Sequence, residues 1–203
     1  YNRIELDYLM NRYQMTLNKS TLTVKNGFAI TARPATEGPE GVVAEMHLTN
    51  YSKVVVNNMN GMGIGHEAYG TMNIDATSTF ETTQNFNISA KGTMNVNGGN
   101  VKVAGTLTNA GTVYVTGAAN LDANVTGNGW FYMNGVALDA DTKLHGAKVG
   151  FINGVNTIVG STIDNGFFSV GIGQNAAATT AATFAGANGI TLGNVTVNVS
   201  GDA

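Results

Sequence analysis

Three histidines, His47, His66 and His145, and a scatter of acids are the residues with which this chain could do acid–base or metal chemistry. The histidines stand far apart, form no His-x-x-x-His pair, and have no cysteine to complete a zinc or nucleophilic set. His66-Glu67 begins like a zinc-protease helix, but Gly70 and Thr71 stand where the second histidine would fall. Asp139-Ala140-Asp141 sets two carboxylates on one face of a strand or inside a corner. That pair reads as a solvated acidic turn or as part of a Ca²⁺ site, which would need about six to eight oxygens in all. No other cofactor is indicated.

Acid–base cleavage of a polysaccharide needs clustered carboxylates. Here Asp75, Glu81, Asp122, Asp139, Asp141 and Asp164 are dispersed, and no arginine follows Arg33. The chain therefore reads as no enzyme. Trp130, Phe131 and Tyr132 are consecutive, so a strand would place Trp130 and Tyr132 on one face and Phe131 on the other. With Phe131 inward, the outer pair would suit a sugar or a subunit contact; alternatively all three lie covered by another element.

The elements that would carry these residues are short and repetitive. Gly70-Thr71-Met72-Asn73-Ile74 returns as Gly92-Thr93-Met94-Asn95-Val96, a step of 22 (92 − 70). Further steps of 19 (111 − 92) and 18 (129 − 111) lead to Gly111 and Gly129, with looser echoes at Gly150 and Gly166. Such a period predicts an all-β chain, a parallel β-solenoid (β-helix) with coils of about 16–22 residues. Equivalent positions then stack, placing Met72, Met94, Val113 and Phe131 together in the interior. Asn-Gly at Asn60, Asn97, Asn128, Asn134, Asn153 and Asn165 reads as corners of that coil, where left-handed backbone is tolerated.

Composition agrees. Charged residues make up 11% of the 203, against about 25% ordinarily, with 27 glycines and 2 prolines. Net charge −3 and dispersed cations leave no basic footprint for nucleic acid. No window approaches the roughly 20 apolar residues of a membrane span. The chain starts at Tyr1 rather than Met, which fits a processed product or an excised piece and is consistent with a removed leader and export.

Three segments of one domain are expected. Residues 1–41 read as a cap: a helix over 1–17 with Leu6, Leu9, Met10, Tyr13 and Leu17 on one face, then a hairpin of Thr21–Val24 and Phe28–Thr31 around Lys25-Asn26-Gly27, then an exposed loop from Arg33 to Gly41. Six of the ten cations fall in the first 53 residues, which sets this cap apart from the body at 42–170. Residues 171–203 are rich in Ala, Thr and Gly and end in an alternating strand containing Val195, Val197 and Val199. That strand closes its own subunit or pairs with the next one. Leu6, Leu9 and Tyr13 with Val195, Val197 and Val199 are the expected assembly surfaces.

The run Gly105-Thr-Leu-Thr-Asn-Ala-Gly-Thr-Val-Tyr-Val-Thr-Gly-Ala-Ala-Asn-Leu121 resembles, in its style of repeat, the parallel β-helix repeats of bacterial surface adhesins and autotransporter passengers over about residues 70–170. The resemblance implies a secreted or cell-surface structural role and carries over no catalytic residue. Together these readings predict a self-assembling fibre or matrix subunit or an adhesin segment, a homo-oligomer or homopolymer. A trimeric phage-type fibre, or a module binding surface glycans through Trp130, Tyr132 and the two aspartates, is the alternative.

Overall fold

Alternation of period two governs the chain: in Gly92–Asn97 and in Thr112–Thr116 every second residue is buried. A computed structural model describes residues 4–6, 12–31, 43–58, 63–66, 68–138, 142–159, 162–164, 167–170, 181–185, 191–193 and 196–199. The described chain is all-β, without a helix, and every strand pairing in it is parallel.

A nine-stranded sheet runs, in order, through Arg12–Asn18, Val43–Thr49, Tyr69–Ile74, Gly92–Asn97, Thr112–Thr116, Trp130–Asn134, Lys148–Asn153, Phe167–Val170 and Thr196–Val199. A twelve-stranded sheet follows Ile4–Leu6, Phe28–Ile30, Gly63–Ile64, Phe86–Ile88, Asn100–Asn109, Asn120–Thr126, Thr142–His145, Thr162–Asp164 and Thr191–Gly193. Its branch of Thr21–Val24, Lys53–Val56 and Thr79–Thr82 joins the first half of Asn100–Asn109, while Phe86–Ile88 joins the second half. Ala137–Leu138, Val155–Val159 and Ala181–Ala185 form a third sheet.

The repeat steps are the register of the nine-stranded sheet. Gly70 lies beside Gly92, Thr93 beside Thr112, and Thr112 beside Trp130. One echo is out of step: Gly150 stands beside Tyr132, and Lys148 takes the place beside Trp130. The step varies along the chain, from 31 (43 − 12) and 26 (69 − 43) through 22 (92 − 70), 19 (112 − 93) and 18 (130 − 112) to 29 (196 − 167) at the last pair. Phe28, Phe80 and Phe86 fill the longer early repeats, with ring centroids 4.8–6.4 Å apart and none exposed.

Two apolar columns form the core beneath this sheet. Met46, Met72, Met94, Val113, Phe131 and Val149 are successive register partners, all fully buried. So are Leu48, Ile74, Val96, Val115, Met133 and Phe151. Met15 and Leu17 extend the two columns toward the N-terminus and are only partly buried. The glycine that opens each repeat is a packing requirement, since a Cβ on Gly92, Gly111 or Gly129 would collide with the carbonyl oxygen of Ile64, Gly92 or Gly111. Corner glycines have a different cause. Gly98, Gly135 and Gly154, each after an asparagine, hold φ of 78°, 63° and 64°, where L side chains are strained.

Two expectations for the N-terminal cap are corrected. Ile4–Leu6 and Arg12–Asn18 are strands where a helix was expected over 1–17. Tyr13, Met15 and Leu17 also alternate with period two, and seven in-register pairings with Val43–Thr49 outweigh the weaker helical spacing. Thr21–Val24 and Phe28–Ile30 form no hairpin: the first pairs with Lys53–Val56 and the second with Ile4–Leu6. Lys25-Asn26-Gly27 turns the chain onward, and the Gly27 N–H donates to Asn58 O of the next repeat at 2.8 Å. The expected loop from Arg33 to Gly41 lies outside the described residues.

Candidate functional site

The residues with the most chemical character outside the core form an aromatic pile on the outer face of the nine-stranded sheet. Trp130–Asn134 alternates between half-buried and buried residues, so Phe131 enters the core while Trp130 and Tyr132 stand outside, the first of the two arrangements the sequence left open. Their rings are parallel within 5° with centroids 5.3 Å apart. Tyr114, the register partner of Tyr132 in the preceding repeat, stacks on it at 5.0 Å and 19°. On the other side the partner is Gly150, and a Cβ there would lie 2.6 Å from Tyr132 Cδ1. The tyrosine ring thus occupies space that any other residue at 150 would fill, an aromatic covering of glycine backbone in a sheet. Lys148 Nζ sits 5.9 Å from the Trp130 ring centroid, a cation–π contact between neighbouring strands. Burial pushes the Tyr132 phenol above its ordinary pKa, and the adjacent Tyr114 adds to the shift. Sequence reading found Trp130 and Tyr132 but missed Tyr114, Lys148 and Gly150. The signal was present as two equal steps of 18, from 114 to 132 and from 132 to 150.

A second polar constellation is a corner. Asp75 accepts hydrogen bonds from the Asn50 N–H at 2.8 Å, the Thr77 N–H at 3.0 Å and the Thr77 hydroxyl at 2.9 Å. The Tyr51 N–H donates to Thr77 Oγ1 at 2.9 Å, so the corner at 75–77 ties down the preceding one. Asn50 and Tyr51 hold φ of 52° and 64°, costly for residues other than glycine and supported here by these bonds. Desolvation would raise the Asp75 pKa, but the bonds from Asn50, Ser78 and Thr77 outweigh it and hold the carboxyl below its ordinary range. This is a latch between repeats.

The remaining candidates do not converge. His47 Nε2 lies 3.2 Å from Glu45 Oε2 and 2.9 Å from Gln14 Nε2, a lateral network along one outer face. His66 is exposed, and His145 stands in register with Thr126 and Asp164 in a different sheet. A shallow groove of ≈ 190 Å³ is lined in part by Glu81, Thr82, Lys102 and Ala104. Its charged side chains are ion-paired, Lys53 with Glu81 at 2.8 Å and Lys102 with Asp122 at 3.1 Å. No cluster of three or more His, Asp or Glu that could hold a metal occurs among the described residues. Asp139 and Asp141 lie outside those residues, as do Leu9 and Val195.

Of the expected assembly surfaces, Leu6, Tyr13, Val197 and Val199 fall within strands. Thr196–Val199 pairs with Phe167–Val170 of its own chain, at the last position of the nine-stranded sheet. Arg12–Asn18 holds the first position. Among the described residues each of these strands has a strand neighbour on one side. No helix of the described residues is long and apolar enough to cross a membrane. The chain matches no family model, no curated protein and no solved structure.

Proposed function

We propose that the chain winds as a three-sided parallel β-solenoid and acts as a non-catalytic, self-assembling subunit of an extracellular fibre or matrix, or as a segment of a surface adhesin. The winding is supported by strand order: after Trp130–Asn134 the chain visits Ala137–Leu138 in the three-stranded sheet, Thr142–His145 in the twelve-stranded sheet, and returns at Lys148–Asn153 beside its starting strand. The observation that carries the functional reading is the continuous parallel pairing from Arg12–Asn18 to Thr196–Val199, with a one-residue register shift after Met133. A parallel stack in which each terminal strand has one neighbour offers a second copy the same row of backbone donors and acceptors that joins its own repeats. A head-to-tail contact of that kind does not close and yields a filament. The dispersed acids and ion-paired groove residues favour a structural over a catalytic role.

Negative-stain electron microscopy across a concentration series tests this. Uniform filaments that lengthen with concentration are expected. Discrete monomers, or short trimeric rods of the phage-fibre type, at all concentrations would overturn it. The substitution Val197→Lys should suppress the filaments by adding charge to the terminal strand.

A glycan-binding role is the second reading, and the aromatic pile favours it. Stacked at 5.0 and 5.3 Å, the rings cover part of one another's faces. A sugar would therefore meet only the outer faces and edges of the pile. The single Trp, Trp130, reports on this directly: titration with neutral and acidic oligosaccharides should shift its fluorescence if the role is real, and an unchanged spectrum removes it.

A further inference from the structure

The self-assembly reading leaves open which residues meet, and the columns of the nine-stranded sheet determine that. The column of Met46, Met72, Met94, Val113, Phe131 and Val149 continues by register to Phe168 and then Val197. The parallel column through Leu48 and Phe151 continues to Val170 and Val199. At the other end the same two columns begin at Met15 and Leu17, which are partly buried against the core, while Gln14 and Thr16, each preceding one of them, are exposed.

We infer that a second copy of this chain adds head to tail in one register, with Val197 beside Met15, Val199 beside Leu17, Asn198 beside Thr16 and Thr196 beside Gln14. That register continues both apolar columns across the joint and sets Thr196 and Asn198 beside the exposed Gln14 and Thr16. It also covers Met15 and Leu17, which are only partly buried. A slip of one residue would put Asn198 in register with Met15 or Leu17, setting an amide into an apolar column. A slip of two restores the alternation but breaks one apolar column at the joint and carries the corners out of line with those of the next copy. Two copies joined tail to tail would instead run Thr196–Val199 antiparallel to its own counterpart, unlike every pairing within the described chain.

The inference rests on the self-assembly reading, and the chain's lack of cysteine permits a test that separates the two. Neighbouring parallel strands stand about 4.8 Å apart, within the roughly 4.4–6.8 Å between Cα atoms that a disulfide spans. Diagonal neighbours two residues along are about 7–8 Å apart and are not bridged without backbone movement. The full chain carrying Thr16→Cys with Asn198→Cys is oxidised at a concentration at which the wild type forms filaments, or at the highest concentration attainable, and run on a non-reducing gel. A ladder of disulfide-linked multimers is expected, collapsing to monomer on reduction. Gln14→Cys with Asn198→Cys, and Asn198→Cys alone, are expected to give less than a tenth of that ladder. Filaments in which the Gln14 pair links as well as the Thr16 pair, or in which the Thr16 pair does not link, would overturn the register and leave self-assembly standing. Dimers from Asn198→Cys alone would show a tail-to-tail joint and overturn the head-to-tail contact. Absence of both filaments and ladders would overturn the contact together with the reading beneath it.

Discussion

Asp75 is the residue on which acid sensitivity should centre. Its carboxyl is held below the ordinary value of 3.8 because hydrogen bonds from Asn50, Ser78 and Thr77 outweigh desolvation. A lowered folded-state pKa means the unfolded chain binds the proton more readily, so the contribution is full above 3.8 and is lost as pH falls through the lowered value. Asp75→Ala should therefore lower stability by about 1–2 kcal/mol at neutral pH and flatten the acid limb, as read by urea midpoints between neutrality and acid. An unchanged acid limb would remove Asp75 from the latch. Gly150→Ala makes a second residue-scale prediction. Its methyl would push the Tyr132 ring aside, costing about 1 kcal/mol and weakening the near-ultraviolet circular dichroism of the stacked aromatics; an intact aromatic signal would contradict the packing. Neither residue stood out in the sequence. Asp75 looks like any turn aspartate until Asn50 of the preceding repeat arrives beside it, and Gly150 looks like a repeat opener although the register sets it beside Tyr132.

At the scale of strands and corners, the two kinds of glycine should respond differently to the same change. A methyl on Gly111 meets Gly92 O and Ser89 O, backbone atoms that cannot retreat. Gly111→Ala should cost about 3 kcal/mol or more, whereas Gly135→Ala meets nothing within 4 Å and should cost only the left-handed strain of φ 63°, about 1–2 kcal/mol. Denaturant midpoints of the two variants check this, and equal losses would contradict it. The repeat was legible because close backbone approach keeps Gly92, Gly111 and Gly129 at one position per repeat, and burial keeps Met72, Met94, Val113 and Phe131 at another. The N-terminal strands were not legible. Leu6, Leu9, Tyr13 and Leu17 satisfy a helical spacing that only long-range pairing with Val43–Thr49 overrules. The false hairpin at Lys25-Asn26-Gly27 has the same origin, since one turn chemistry serves a reversal and a corner alike, and only the strands beyond the turn decide between them.

For the whole molecule, the proposed assembly extends the parallel strand order that the chain already has. The repeats are longest at the two ends, 31 (43 − 12) and 29 (196 − 167) residues, and shortest between, 18 (130 − 112), and Phe28, Phe80 and Phe86 fill the longer early ones. Both terminal strands belong to the same nine-stranded sheet, so a chain added in register prolongs that sheet without a new kind of contact. Tyr114, Trp130 and Tyr132 form a stacked aromatic patch on the outer face of that sheet. X-ray diffraction from aligned filaments of the full chain tests the joined claim most directly. Strands that lie across the filament and stack along it should give a reflection at about 4.7–4.8 Å on the meridian. Filaments with that spacing on the equator, or no filaments to align at any attainable concentration, would contradict it.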